Sequence, residues 1–246
     1  MAGHNKWSKV KHIKARVDAK KGKAFSKVGR DITIAAKQGG DNPDMNPALR
    51  LAIQKARDVN MPKDNIQRAI EKGAGTGDGN ALEEIVYEAY APGGVAILIR
   101  SLTDNKNRTV PNVRAALSKA GGSLANSGAV SYLFEKKGVI IFDDDCDSDQ
   151  VMELAIDSGA DDVDVQGDGS VEVTTTPDCF ESVVAAFNDQ SLTYLDASIE
   201  MVPQTRILLD VEKAKGFLKL IDKLEDDDDI QDVFHNADIP DEAVEG

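Results

Sequence analysis

Trp7, Val10, Ile13 and Val17 recur at steps of three, three and four, which at about 100° per residue sets them on one face of a helix. Lys9, Arg16 and Lys20 fall on one flank of that stripe, so the same helix would carry a basic ridge beside its apolar seam. The pattern repeats with Phe25, Val28, Ile32 and Ala35/Ala36 and is predicted to stop at Gly39-Gly40, since glycine after the last apolar turn commonly ends a helix. Asn46-Pro47 supplies an N-cap and a first-turn proline for a helix that carries Leu49, Ala52, Ile53 and Ala56 on one face. Pro62 marks the first turn of a fourth, short helix with Ile66, Ala69 and Ile70, closed by Gly73. Residues 1–72 therefore read as helical.

The segment Gly73 to Asn80 holds four glycines in eight residues and reads as a linker between domains. No Lys-Ser/Thr follows those glycines, so they are not a phosphate-binding loop. Beyond them the period changes. Residues 138–205 predict strand Gly138–Phe142, helix Ser148–Ser158, strand Asp161–Gln166, strand Ser170–Thr175, helix Pro177–Gln190 and strand Leu195–Val202, with Asp168-Gly169 as a hairpin turn. That order is βαββαβ, the ferredoxin-like split βαβ unit. Residues 83–122 predict strands Ile85–Ala91 and Val95–Thr103, joined by a tight turn at Gly93-Gly94, and helix Thr109–Lys119. Residues 206–240 add a strand at Arg206–Val211, a helix at Lys213–Leu224 and a strand near Gln231–His235. Neither piece alone covers a sheet. Joined, they make a second α/β sandwich, so the expected class is α+β: a basic helical domain (1–78), a discontinuous ferredoxin-like sandwich (79–130 plus 206–246), and a βαββαβ domain (131–205) inserted into it.

Charge sharpens this division. Residues 1–80 hold 17 Lys and Arg against 8 Asp and Glu, whereas residues 81–246 hold 12 against 35, giving +9 and −23 within a chain of net −14. The first thirty residues carry ten Lys or Arg and one acid, Asp18. Cations at this density neutralise phosphates and release counterions, and aromatic faces can stack on bases. The expected nucleic-acid contacts are therefore Lys6, Trp7, Lys9, Lys11, His12, Lys14, Arg16, Lys20, Lys21, Lys23, Lys27 and Arg30, with His4 and Phe25 beside them. No zinc-finger or RNA-recognition aromatic motif and no clear helix-turn-helix spacing is present, so phosphate contact rather than base reading is expected.

The segments His4 to His12, Lys20 to Lys27, Arg30-Asp31-Ile32, Asn60-Met61-Pro62-Lys63-Asp64-Asn65-Ile66, Tyr87 to Ala96 and Thr103-Asp104-Asn105-Lys106-Asn107-Arg108-Thr109 together resemble the YebC/PmpR family in order and spacing. Departures are mild: Asn5 where Ser is more frequent, Lys21 for Arg, and Ala89 and Ala91 where Gly is usual. The resemblance implies a three-domain fold with a helical amino-terminal domain and transcriptional regulation by DNA binding. The same family includes mitochondrial translational activators and bacterial members implicated in translation, so the alternative it implies, after DNA binding, is a ribosome-associated factor that contacts rRNA through the same basic domain.

Thr103 to Thr109 lies between a strand end and a helix start. It reads either as a polar turn in which Asn107 or Thr109 caps the helix before Pro111, or as a second anion site built from Lys106, Arg108 and free backbone N–H groups. The acid cluster beginning at Asp143 lacks the glycine and glutamate of a calcium loop, having Ser148 and Leu154 at those positions. With three histidines, no GxSxG and no HExxH, no enzyme, metal, cofactor or small-molecule substrate is expected. Cys146 and Cys179 form no repeated framework, and neither a signal-peptide core nor a membrane-length apolar run is found, so a cytoplasmic protein is expected.

Overall fold

The computed structural model describes residues 21–75 and 82–243. Three helices, α1 (Lys21–Gly39), α2 (Pro47–Asp58) and α3 (Lys63–Gly73), pack around Ile32, Ala35, Ala36, Leu49, Ala52, Ala56, Met61 and Ile66. Phe25, Val28, Ile53, Ala69 and Ile70 close the edge of that cluster, so the periodic apolar positions meet as expected. Pro62 holds the position just before α3 rather than its first turn. Asn46 fixes the α1–α2 corner. Its side-chain oxygen accepts from the Leu49 N–H at 3.1 Å, and its amide donates to the carbonyls of Ala35 and Gly40, each at 2.8 Å. At the far end of α3, a Cβ on Gly73 would lie 2.3 Å from the Thr33 carbonyl oxygen, so glycine there permits the closest approach of α3 to α1.

Next come β1 (Glu83–Ala91), β2 (Val95–Thr103), α4 (Lys106–Lys119) and β3 (Ser123–Leu124). They are followed by β4 (Phe134–Phe142), α5 (Ser148–Ser158), β5 (Asp162–Val165), β6 (Val171–Thr175), α6 (Phe180–Asp189) and β7 (Asp196–Pro203). The chain continues through β8 (Ile207–Leu208), α7 (Val211–Glu225), β9 (Ile230–His235) and β10 (Ala237–Asp238). The class is α+β. One antiparallel sheet has the order β3-β1-β2-β9, so strands far apart in sequence share it. Its two central strands are a hairpin turned at Gly93 and Gly94, both at positive φ. A second antiparallel sheet has the order β5-β6-β4-β7, the split βαβ arrangement.

β2 is buried along both faces because each meets different partners. Val95, Ile97 and Ile99 pack under Val113 and Leu117 of α4 and Phe217, Leu220 and Leu224 of α7. On the other side, Ala96 and Leu98 meet Val130 and Phe134, and Leu102 meets Ile34 of α1. The second sheet buries Ile140, Phe142, Val171 and Val173 under α5 and α6, with Phe142 edge-on to Phe187 at 4.9 Å between ring centres. Full burial of each such side chain contributes roughly 1.5–3 kcal/mol. Glu88 of β1 secures the connection between the sheets by accepting from the backbone N–H groups of Gly128, Val130 and Ser131 at 2.6, 2.6 and 2.9 Å. Burial opposes its charge, yet those three donors outweigh it and hold the carboxyl below its usual range.

Several boundaries differ from expectation; α6, for one, begins at Phe180 rather than Pro177. β4 begins at Phe134, four residues before Gly138, because polar Glu135, Lys136 and Lys137 still pair with β7. The strand expected at Arg206–Val211 shrinks to Ile207–Leu208, paired in parallel with β10, because Asp210 caps α7 by accepting from the Lys213 N–H at 2.8 Å. Helix α4 starts three residues before Thr109: Asn105, not Asn107 or Thr109, accepts from the Arg108 N–H, at 3.2 Å, and Pro111 lies inside the helix.

Candidate nucleic-acid interface

Of the basic positions expected to meet nucleic acid, Lys6, Trp7, Lys9, Lys11, His12, Lys14, Arg16 and Lys20 lie outside the described residues. Lys21 and Lys23 sit in the first turn of α1, continuous in sequence with that segment. Further along α1, Lys27 donates to the Glu225 carbonyl at 3.0 Å, and Arg30 donates to the Leu102 carbonyl at 2.7 Å and to Asp229 at 2.9 Å. One helix thus changes task along its length. Its first turn carries the last lysines of the basic run, and its middle spends its cations on the neighbouring sheet.

Asp229 is the focus of that seam. It is 1% exposed, although it belongs to the acidic run Glu225 to Asp229. Arg108 clamps it with two bonds of 2.9 and 2.7 Å, Arg30 adds a third, and the Thr109 hydroxyl donates a fourth at 2.9 Å. Burial works against its charge, but the donors from Arg108, Arg30 and Thr109 prevail and hold its pKa down at about 2. Asp229 in turn keeps the Arg108 guanidinium firmly protonated.

Of the two readings left open for Thr103 to Thr109, the polar turn matches the contacts made here. Arg108 is neutralised by Asp229 and by Asp104 at 3.0 Å, and Lys106 pairs with Glu83. The Arg108 N–H, one of the donors an anion site would need, is bonded to Asn105. Arg30 and Lys27 are likewise directed into the protein rather than outward. Their sequence neighbourhood gave no sign of it, because the acceptors lie 72, 198 and 199 residues away.

A second cation crosses the same seam. Arg100 of β2 contacts Asp31 of α1 at 3.0 Å, Glu84 at 2.6 Å and Asp232 at 2.7 Å. Burial pushes the Asp31 carboxyl above its ordinary value despite the opposing pull of Arg100. Lys37 donates to the Leu82 carbonyl at 2.9 Å. On the other flank, Arg50 of α2 grips Glu181 of α6 through two bonds of 2.6 and 2.9 Å, and Leu51 packs against the second sheet's core. The helical part is therefore anchored to both sheets, and the base of the basic segment is held in a fixed place.

Exposed cations that the sequence reading passed over are Arg57, Lys63 and Lys72, on α2 and α3. None has a carboxylate partner among the described residues. Their signal in the sequence was weak: isolated basic residues offset from an apolar stripe. No group of three or more His, Cys, Asp and Glu placed to hold a metal occurs among the described residues. No described helix is long and apolar enough to cross a membrane.

Two family models cover the chain: the TACO1/YebC protein N-terminal domain over residues 5–76, and the TACO1/YebC second and third domain over residues 82–237. A relative from Hahella chejuensis, named probable transcriptional regulatory protein, is 53% identical, with 100% of this chain and 98% of that protein covered. One from Idiomarina loihiensis, named probable transcriptional regulatory protein IL1088, is 50% identical over 99% of this chain and 98% of its own length. The crystal structure of a conserved hypothetical protein, Aq1575 from Aquifex aeolicus, superposes with a TM-score of 0.84 at 43% identity, covering 92% of this chain and 94% of that one.

Proposed function

The chain belongs to the TACO1/YebC family, and from that premise we propose that it is a non-enzymatic, cytoplasmic regulator of gene expression that binds nucleic acid, most directly a DNA-binding transcriptional regulator. The observation that carries the reading is the basic run of residues 1–30, which enters a helix locked to the acidic body at Arg30. The names of the relatives support the regulatory role. Lys6, Trp7, Lys9, Lys11, His12, Lys14, Arg16, Lys20, Lys21 and Lys23 are the proposed contacts. We read the chain as three units, 1–78, 79–130 with 206–246, and 131–205, the first binding and the other two presenting acidic surface.

An rRNA target on the ribosome is the second reading, favoured by the 35 acids against 12 cations in residues 81–246. A body of that charge is repelled by bare duplex, whereas a ribosome offers protein surfaces as well as RNA. Sedimentation at roughly 0.15 M salt, where the Debye length is about 8 Å, separates the readings. Nanomolar binding to a specific duplex without ribosome co-sedimentation supports the DNA-binding regulator. RNase-sensitive co-sedimentation that outlasts duplex binding replaces it with the ribosomal reading, and neither association overturns both.

A further inference from the structure

The outer face of the first sheet's helical layer carries a groove that the proposed function does not use. Helices α4 and α7 lie side by side over β1 and β2, and between them runs a cleft of about 860 Å³. Its floor is made of small and aliphatic groups, among them Ala115 and Ala116 of α4, Ala120 just after it and Gly216 of α7. Gly216 is exposed in the middle of a helix, where glycine is less favourable than alanine. A Cβ there would meet nothing within 4 Å, so internal packing does not demand the glycine. Its effect is to leave the floor open to close approach from outside.

The rim is basic. Lys119, Lys213, Lys219 and Lys223 line it, four of the 12 Lys and Arg in residues 81–246. Lys213 pairs with Asp210 at 2.7 Å, but Lys119, Lys219 and Lys223 have no carboxylate partner among the described residues. On a body with 35 acids, unpaired lysines gathered around one apolar cleft call for an anionic occupant with an apolar face. Nucleic acid fits less well: Phe217, the aromatic that lines the cleft, is buried and presents no open face for a base to stack on.

We infer that the cleft between α4 and α7 is a docking site for an acidic amphipathic helix of a partner protein, whose apolar side chains enter over Gly216 while its carboxylates meet Lys119, Lys219 and Lys223. This is the helix-in-groove mode of recognition. It is independent of the basic amino-terminal segment, so either can fail without the other.

The test is fluorescence polarisation of the full chain with a labelled synthetic peptide of about 14 residues, roughly 21 Å long as a helix. The peptide is built from Leu, Ala and Glu with leucines on one face. Lys219→Glu and Lys223→Glu are each expected to weaken binding at least about fivefold, and Gly216→Leu, which fills the floor, at least about tenfold. A peptide with lysine in place of glutamate should not bind. Circular dichroism and thermal unfolding of each variant establish that it is folded, and Gly216→Ala serves as the milder floor variant if Gly216→Leu is not. Binding indifferent to all these substitutions overturns the proposal. So does a labelled single-stranded oligonucleotide that binds and is lost on Lys219→Glu and Lys223→Glu while the peptide does not bind.

Discussion

Asp229 shows how far one residue's role can depart from its local sequence. Its donors come from α1 and α4, and removing its charge would leave Arg30 and Arg108 facing a neutral amide at the seam. Asp229 is buried while its arginine partners reach solvent, and leaving a buried hydrogen-bonding site mismatched costs about 1–3 kcal/mol, so Asp229→Asn is expected to lower stability by that order in urea unfolding at pH 7. The pH dependence has a definite sign. The folded pKa of about 2 lies below the ordinary 3.8, so the stabilisation is complete above pH 4 and is lost as pH falls through 2. The gap between wild type and Asp229→Asn should therefore narrow in acid, and a gap constant from pH 7 to pH 2 contradicts the assignment. Nothing in the run of five acids marks Asp229 as the buried one, because the distinction is made by helices more than a hundred residues away. Arg30, expected at nucleic acid from the basic run it belongs to, bonds into the seam for the same reason.

Elements with their signals inside them were legible. Helix α5 runs over Ser148–Ser158, the span expected, with Asp147 accepting from the Gln150 N–H as its cap, and the Asn46-Pro47 start of α2 is where expected. The start of α4 was not legible, since Asn105, Asn107 and Thr109 are all competent caps and only the path of the strand before them chooses. β8 was overextended because its alternation runs into Asp210, whose capping of α7 cannot be told from strand pattern. Asn46 carries more than a cap. Asn46→Ala removes the bond to Leu49 and also leaves the carbonyls of Ala35 and Gly40 without their donor, an expected loss of about 2 kcal/mol or more. Asn46→Asp separates the contributions: it keeps the cap acceptor but sets a carboxylate against two carbonyl oxygens. Chemical denaturation should find the aspartate at least as damaging as the alanine, and a neutral aspartate contradicts the account.

At the scale of the whole molecule, the glycine-rich segment after α3 suggested halves with separate cores, but α1 and the first sheet share Ile34, Leu82 and Leu102 and are cross-linked by Arg30, Lys37 and Arg100. A glycine-rich joint in the sequence does not imply a loose interface. Charge asymmetry was legible because it needs no structure, and it leads to the central claim that the basic run before the α1 seam binds phosphates. The direct measurement is the salt dependence of nucleic-acid affinity for the wild-type chain and for Lys20→Ala/Lys21→Ala/Lys23→Ala. Each phosphate contact contributes about 0.9 to the slope of log affinity against log salt on duplex DNA. The triple variant should bind unrelated sequences more weakly by a common factor, with a slope shallower by up to about 3. Unchanged affinity and slope would contradict the claim.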